Sequence, residues 1–291
     1  MHTAVGFPVL IRSFRLALTV EGLRPHTIDN YIRDVERFTT HFQGRKPNSI
    51  SASDVRDYIA ALHPDRAPKT VHEAQLAFRR FFRYLFREGE IRRDPTSDMK
   101  LMRYRVNPQP TYTEAEVRRL LAVCDQRTRE GVRDRALVTV LFDTGARAGE
   151  IVSMGLPDWE LRTVQVGGKT GKRQVYLGVA ALQSVERYTR RWGIMEGPLW
   201  VGKKGQLTGS GILQIIRRLC LRPGVEHKTV HGFRRAAAAQ MKRLGMNDSD
   251  ILEVMGWKDI TMLRRYTSAV AGELAQLAHA RYSPGDALRR H

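Results

Sequence analysis

The sequence is poor in cysteine and has no long apolar stretch. Its 291 residues include two cysteines, Cys124 and Cys220, a usage that favours buried free thiols in a reducing compartment over a disulfide framework. No apolar run approaches the roughly 20 residues that a membrane-spanning helix needs. Arg12 and Arg15 interrupt the segment where a signal peptide would lie. We therefore expect a cytoplasmic, nucleoid-associated protein without membrane contact. No cysteines and histidines have metal-ligand spacing, and we expect neither a metal nor a cofactor.

Acidic residues are also scarce compared with basic ones. Lysine and arginine number 49 against 30 aspartates and glutamates, which gives a net charge of +19 and a pI near 10.5. Such an excess favours a polyanionic partner, and double-stranded DNA is the simplest candidate. A protein that is merely basic is the alternative interpretation of the charge alone.

The first part of the chain, residues 1–93, has helical periodicity throughout. Apolar residues recur every three to four positions in four stretches, with Thr27, Ser53 and Thr70 as the expected N-caps of the last three helices. Short connections between such helices predict a four-helix bundle. Residues 94–112 follow as a proline-containing linker, and residues 113–291 form a second domain.

Basic side chains follow one ridge of the fourth predicted helix. Their spacing of three to four residues, together with the net charge, favours a face that tracks DNA phosphates over an ordinary solvated helix face. The candidate DNA-binding residues on this helix are Arg79, Arg80, Arg83 and Arg87.

The second domain begins with a capping box, Thr113-Glu114-Ala115-Glu116, and mixes helices with a short β-hairpin. Alternating stretches at 163–166 and 173–177 flank a turn of glycines and lysines, which is the pattern of two antiparallel strands. The predicted fold class is therefore mainly α with a small sheet. Further candidate DNA-binding residues in this domain are Lys172, Arg173, Lys203, Lys204 and Arg235.

The stretch from His231 to Tyr266 carries the chemistry. His231 and Arg234 are three residues apart, so on a helix they share one face. Trp257 precedes Tyr266 by nine residues and follows a glycine. A phenol nucleophile, an arginine fork for phosphate and two further hydrogen-bond donors suit attack on a phosphodiester.

These motifs closely resemble the signature of the tyrosine recombinases, the phage-integrase-type recombinases. His-x-x-Arg at 231–234, Gly256-Trp257 and Tyr266 match its C-terminal part. The segment 144–151, Thr-Gly-Ala-Arg-Ala-Gly-Glu-Ile, resembles the first arginine box, and the segment 168–172, Gly-Lys-Thr-Gly-Lys, resembles the lysine turn of the β-hairpin. The motifs occur in the family's order and span most of the second domain.

The resemblance implies a SAM-like core-binding bundle at residues 1–93 and an α+β catalytic domain at 113–291. It implies a site-specific DNA recombinase that works through a 3′-phosphotyrosyl intermediate and a Holliday junction, without metal or ATP. It also implies that Glu150 is structural and leaves Lys172 as the alternative to Lys169. Tryptophan stands at position 257, where histidine is commoner in the family, so this residue donates a hydrogen bond and transfers no proton. The implied catalytic residues are Arg147, Lys169, His231, Arg234, Trp257 and Tyr266.

The resemblance further implies a homotetramer on paired DNA sites, with a terminal helix at about 269–281 that docks on a neighbouring subunit. An Xer-like or mobile-element recombinase is favoured, because the first bundle helix lies so near residue 1. A type IB topoisomerase-like enzyme and a non-catalytic DNA-binding protein are the alternatives. The target site, the physiological direction of the reaction and any second recombinase or directionality factor do not follow from the sequence.

Overall fold

The computed structural model describes residues 6–63, 65–104, 109–168 and 171–288. The chain divides into two compact units, Met1–Val106 and Asn107–His291. This division falls within the predicted linker at 94–112. The first part of that segment packs on the first unit, because Met99 and Met102 contact its hydrophobic core and Thr96 is buried.

The first unit is helical, and its core is rich in aromatic rings. Phe38 is fully buried and its ring lies 4.9–5.5 Å from those of Tyr58, Phe78 and Phe82. Such edge-on and tilted contacts are the preferred geometries of aromatic pairs. The elements of this unit are α1 (Phe7–Val20), α2 (Pro25–His41), a short 3-10 helix (Pro47–Ser49), α3 (Ala52–Leu62) and α4 (Pro68–Arg87).

The predicted N-caps of this unit are wrong. Helices α2 and α4 begin earlier, with Pro25 and Pro68 in the first turn, rather than after Thr27 and Thr70. Proline suits the first helical position because its fixed φ is helical and its missing N–H would be unpaired there. The cap of α3 is Ser51, not Ser53: its hydroxyl accepts from the backbone of Asp54, whose carboxylate accepts in return.

The second unit combines helices with two small antiparallel sheets. In the β1–β2 hairpin, Val166 pairs with Arg173, and the mainly helical architecture with a small sheet agrees with the predicted class. The elements are α5 (Glu114–Ala122), α6 (Arg129–Thr144), α7 (Ala148–Val152), β1 (Thr163–Gly168), β2 (Gly171–Tyr176), α8 (Val179–Trp192), β3 (Val201–Gly202), β4 (Gly205–Gln206), α9 (Gly209–Leu221), α10 (Thr229–Arg243), α11 (Asp248–Met255), α12 (Ile260–Thr267), a 3-10 turn (Ser268–Val270), α13 (Ala271–Tyr282) and α14 (Pro284–Ala287).

Helix α6 runs through the main core of this unit and packs against α8 and α10. Cys124 and Cys220 are buried free thiols in that core, as predicted. The predicted capping box is confirmed, because the Thr113 hydroxyl accepts from the backbone N–H of Glu116 and the Glu116 carboxylate accepts from Thr113.

A second, smaller apolar cluster joins α10, α11 and α12. Its buried members come from all three helices and include Trp257, with Tyr266 packed against its edge. This cluster fixes the relative positions of the helices that carry the His231–Tyr266 motif. The buried members are Ala238, Ile251, Met255, Trp257 and Leu263.

Helix α13 follows this cluster and has no buried residue. An ion pair between Arg243 and Glu273, with an N–O distance of 2.7 Å, joins it to α10, and Leu277 is 51% exposed.

Among the described residues, no helix has both the length and the apolarity required to cross a bilayer.

Candidate active site

Arg147 lies in the tight turn between α6 and α7. Gly145 ends α6 in the left-handed conformation, with φ of +57°. Any other residue would be strained there, and an added Cβ would lie 2.8 Å from Cε of Met255 and 3.1 Å from Cβ of Ala237. The glycine therefore lets α10 and α11 approach the turn closely. The side chain of Arg147 remains 26% exposed.

Glu150 holds Arg147 in place. Its carboxylate accepts from the backbone N–H and from Nη1 of Arg147, both at 2.7 Å, and from Nε and Nη2 of Arg173, both at 3.0 Å. Burial of Glu150 would raise its pKa, but the bonds from Arg173 and Arg147 outweigh burial and lower the pKa to about 2. Glu150, which the family resemblance implies to be structural, is thus a buried anion between two cations.

This low pKa predicts the stability of the site at acidic pH. A carboxylate with a lower pKa in the folded state stabilises the protein above its unfolded pKa, 4.5 for glutamate, and loses that effect as pH falls toward about 2. We therefore expect the wild type to be more stable than Glu150→Gln at pH 7. The difference in unfolding free energy between the two proteins should shrink by about 1 kcal/mol between pH 5 and pH 3.5. It should shrink by about 3 kcal/mol once the pH falls below the folded-state pKa.

Urea unfolding of both proteins at pH 7, 5 and 3.5 measures this difference. Because the other carboxylates titrate in both proteins, subtraction isolates the contribution of Glu150. A difference in unfolding free energy that stays constant with pH would contradict the assignment.

Arg234 is the most buried charged residue of the site. It has no solvent exposure, and its Nη1 and Nη2 donate to the backbone carbonyls of Gly145, at 2.7 Å, and Met255. Among the described residues its Nε has no hydrogen-bond partner. Burial and the charge of Arg147 lower the pKa of Arg234 to about 10, so it stays cationic at neutral pH. A buried cation with an unpaired N–H is suited to an anion.

His231 lies one turn before Arg234 on the same helix. His231 is exposed, and partial desolvation of its ring, together with the nearby charges of Arg235, Arg234 and Arg147, lowers its pKa below the ordinary value. The imidazole is therefore neutral at pH 7, and a neutral imidazole can accept a proton.

Trp257 and Tyr266 complete the cluster. Gly256 ends α11 with φ of +61°, and Trp257 follows it. The rings of Trp257 and Tyr266 have centroids 4.8 Å apart. The guanidinium carbon of Arg234 lies 5.1 Å and 6.0 Å from these two centroids. Within the described part of the chain the buried indole Nε1 has no partner, whereas Tyr266 is partly exposed.

The structure thus brings five of the six predicted catalytic residues together in one partly exposed cluster. These are Arg147, His231, Arg234, Trp257 and Tyr266. Lys169, the sixth, lies outside the described residues. Lys172, its alternative, is exposed on β2 opposite Gly167. No group of three or more metal-ligating side chains occurs in the ranges that the structure describes.

The candidate DNA-binding residues of α4 differ in their surroundings. Arg83 and Arg87 are exposed and Arg79 is half-buried, and these three line one groove with residues of α1. Arg80 pairs with Glu21 across that groove and lies over the ring of Tyr31, 5.8 Å from its centroid.

The candidates of the second unit lie at several separate places. Lys203 and Lys204 are exposed in the turn between β3 and β4, with Nζ of Lys203 3.9 Å from Glu130. Nε of Arg235 donates to the carbonyl of Pro110 at 3.0 Å. Arg173 is mostly buried, and its guanidinium is bound by Glu150 and by the carbonyl of Val254.

Sequence reasoning missed a buried ion pair that positions the start of α10. Lys228 donates to both carboxylate oxygens of Glu116 at 2.6 Å, and its backbone N–H donates to the hydroxyl of Tyr112. The Tyr112 ring also packs on Phe233, with centroids 4.3 Å apart. An added Cβ at Gly232 would lie 2.9 Å from that ring. The glycine directly after His231 was the available signal that another group approaches the helix closely.

Comparison with known proteins gives the same assignment over both units. The model of the phage integrase family matches residues 110–272, and that of the phage integrase N-terminal SAM-like domain matches residues 10–89. Tyrosine recombinase XerD of Ralstonia nicotianae is 30% identical over 94% of this chain and 94% of its own length. Tyrosine recombinase XerC of Pelobacter propionicus is 26% identical over 92% and 93%, respectively.

Solved structures show the same fold. A lambda integrase fragment, crystallised as a dimer bound to a core site, superposes with a TM-score of 0.75 at 16% identity over 90% of this chain and 95% of that chain. The Tn1549 transposon integrase in complex with a circular intermediate DNA gives 0.72 at 17% identity over 94% and 99%. The family model alone covers more than half of the sequence. The chain therefore belongs to the phage integrase family of tyrosine recombinases, is similar to its Xer members and carries out site-specific recombination.

Proposed function

We propose that this chain cleaves and rejoins duplex DNA through a covalent link between Tyr266 and a 3′-phosphate. The observation that carries the proposal is a pair of buried donors, Nε of Arg234 and Nε1 of Trp257, which lie beside the Tyr266 ring and have no partner among the described residues. Buried donors without partners cost free energy unless an acceptor arrives. A DNA phosphate brought next to the phenol would supply that acceptor.

In the proposed cleavage step, the Tyr266 oxygen attacks phosphorus and the bond to the 5′-oxygen breaks. The products are a 3′-phosphotyrosyl link and a free 5′-hydroxyl. Arg147 and Arg234 offset the negative charge that builds up on the non-bridging oxygens. His231 accepts the phenol proton, and Lys169, or Lys172 in its place, donates a proton to the departing oxygen.

Rejoining reverses these steps with a 5′-hydroxyl from another strand. The phosphotyrosyl link retains the free energy of the broken phosphodiester, so the reaction needs no ATP. The two arginines offset the charge at the phosphate, which is the role that a metal would otherwise have. Exchange between two sites requires four active tyrosines and passes through a Holliday junction. We therefore propose a homotetramer on paired sites, in which the 269–281 helix docks on a neighbouring subunit, and we place the protein on cytoplasmic DNA.

The first unit would supply most of the non-catalytic DNA contacts. Residues 1–93 present the arginines of α4, and the second unit adds lysines near its hairpins. Such contacts to phosphates predict affinity that falls steeply with salt. The proposed contact residues are Arg79, Arg80, Arg83, Arg87, Lys172, Lys203, Lys204 and Arg235.

Covalent trapping tests the proposal. Nicked duplexes tiled across the chromosomal DNA that flanks the gene are incubated with wild-type protein, EDTA and no ATP, and are then run on a denaturing gel. We expect a protein–DNA band that resists denaturation. Trypsin cuts after Arg265 and Arg281, so the DNA-bearing peptide should be 266–281, in which Tyr266 is the single tyrosine.

The other outcomes separate the alternatives. A shifted complex under native conditions without any adduct would favour a non-catalytic DNA-binding protein. Adducts on all duplexes, with relaxation of supercoiled plasmid regardless of sequence, would indicate a type IB topoisomerase-like enzyme.

A further inference from the structure

Arg173 of β2 uses all three guanidinium nitrogens inside the protein. Nε and Nη2 each donate to one carboxylate oxygen of Glu150 at 3.0 Å, and Nη1 donates to the carbonyl of Val254 at 2.9 Å. The side chain is 16% exposed. A guanidinium bound in this way has little capacity left for a DNA phosphate, although the sequence suggests that role.

These hydrogen bonds belong to a closed circuit that links Arg147 and Arg234. Arg147 forms an ion pair with Glu150, and Glu150 forms a second one with Arg173. Arg173 is bonded to the last turn of α11, whose next carbonyl, that of Met255, accepts from Arg234. Arg234 also donates to Gly145, two residues before Arg147, which closes the circuit. Arg173 is the member that comes from the β-hairpin.

The backbone at Gly256 leaves space for Arg173. An added Cβ at Gly256 would lie 2.8 Å from Cδ and 3.1 Å from Nε of Arg173. Gly256 is followed directly by Trp257, so the Arg173 stem packs against the segment that presents the indole. Arg173, itself a residue of the hairpin, therefore contacts Glu150, which holds Arg147, and the end of α11.

We propose that Arg173 is a positioning residue that sets the spacing of Arg147, Arg234 and Trp257 and ties the lysine hairpin to them. This inference rests on the proposed function, which supplies the phosphate that these groups would bind. Lysine cannot replace arginine here, because one ammonium cannot bridge both oxygens of Glu150 and also reach Val254. Lys169 precedes Arg173 by four residues in the sequence, and the bonds of Arg173 anchor β2, the strand that follows that lysine.

The first test compares Arg173→Lys and Arg173→Ala with the wild type. At saturating protein, the rate of adduct formation should fall about tenfold for lysine and about a hundredfold for alanine, because small misplacements of catalytic groups have effects of this size. The DNA dissociation constant should change less than about twofold, and the salt dependence of binding should keep its slope, since no phosphate contact is lost.

A direct phosphate contact would give the opposite pattern. Arg173→Lys would then cleave like the wild type, whereas Arg173→Ala would bind DNA more weakly with a salt slope lower by about one. A purely structural role would lower the melting temperature and leave the cleavage rate of the folded protein unchanged. Either pattern would overturn the inference.

A second test displaces Arg173 without altering it. Gly256→Ala adds a methyl against the Arg173 stem in a left-handed position, φ +61°. Gly193→Ala is the matched control, because Gly193 also ends a helix with φ of +67° but has nothing within 4 Å of its added Cβ. We expect Gly256→Ala to reduce the cleavage rate about tenfold and Gly193→Ala to leave it unchanged. Equal rates in the two variants would contradict the proposal.

A third readout does not depend on covalent chemistry. Inorganic phosphate, compared with chloride at the same ionic strength, should raise the melting temperature of the wild type by occupying the arginine pair. The increase should be smaller in Arg173→Lys, because the arginine pair is misplaced but still present, and it should be kept in Gly193→Ala. If the wild type forms no adduct yet shows this pattern, the proposed function fails and the positioning role stands. No phosphate effect in the wild type, or an equal effect in Arg173→Lys, would overturn the positioning role itself.

Discussion

Replacing Tyr266 by phenylalanine is expected to abolish the covalent adduct and to leave duplex binding within about twofold of the wild type. The substitution removes the oxygen that becomes bonded to phosphorus in the proposed mechanism. It keeps the ring that packs on Trp257 at 4.8 Å and that lies 6.0 Å from the guanidinium carbon of Arg234. The packing of α12 should therefore persist, and the loss should be confined to chemistry.

The measurement pairs a denaturing gel with a native binding titration on the same nicked duplex. Tyr282→Phe is the matched control, because Tyr282 is 71% exposed on α13, outside the cluster. It should form the adduct at the wild-type rate. An adduct formed by Tyr266→Phe would show that another side chain attacks the DNA.

Replacing Arg234 by lysine is expected to slow adduct formation by about a thousandfold or more. Arg234 donates from two nitrogens to the carbonyls of Gly145 and Met255, and its Nε, which has no partner among the described residues, is the donor proposed for the reacting phosphate. A single ammonium keeps the charge but cannot serve three acceptors in those directions. The charge alone should therefore restore little of the rate.

The rate is measured under single-turnover conditions at a temperature where circular dichroism shows the variant folded, since one buried carbonyl loses its donor. Arg243→Lys is the control on the same helix, because Arg243 pairs with Glu273 at the helix end and lies outside the cluster. A cleavage rate for Arg234→Lys within tenfold of the wild type would show that charge, rather than the arginine fork, carries the effect.

Local spacing explains why most of the candidate site was predictable. His231 and Arg234 lie one helical turn apart, and the left-handed glycines 145 and 256 mark the turns before Arg147 and Trp257. Each of these features is encoded within a few residues, so a periodic pattern or a short motif reveals it. The capping box at Thr113 was predictable for the same reason.

The partners of these residues were not predictable, because they lie far apart in sequence. Arg173 meets Glu150 across 23 positions and Val254 across 81, and Lys228 meets Glu116 across 112. Such pairs depend on how helices and hairpin pack, which local propensity does not encode. Arg173 was accordingly interpreted from charge alone, and charge does not distinguish a side chain that faces DNA from one that binds a buried carboxylate.

The end of α11 has a consequence for how this site tolerates sequence change. The groups that accept from Arg173 and Arg234 are the main-chain carbonyls of Val254 and Met255. Any residue type provides the same carbonyl, so substitutions at these two positions preserve the acceptors. Inserting or deleting one residue in α11 instead rotates the helix end by about 100° and turns both carbonyls away. The positions of these two acceptors therefore depend on the length of α11 rather than on the side chains of Val254 and Met255.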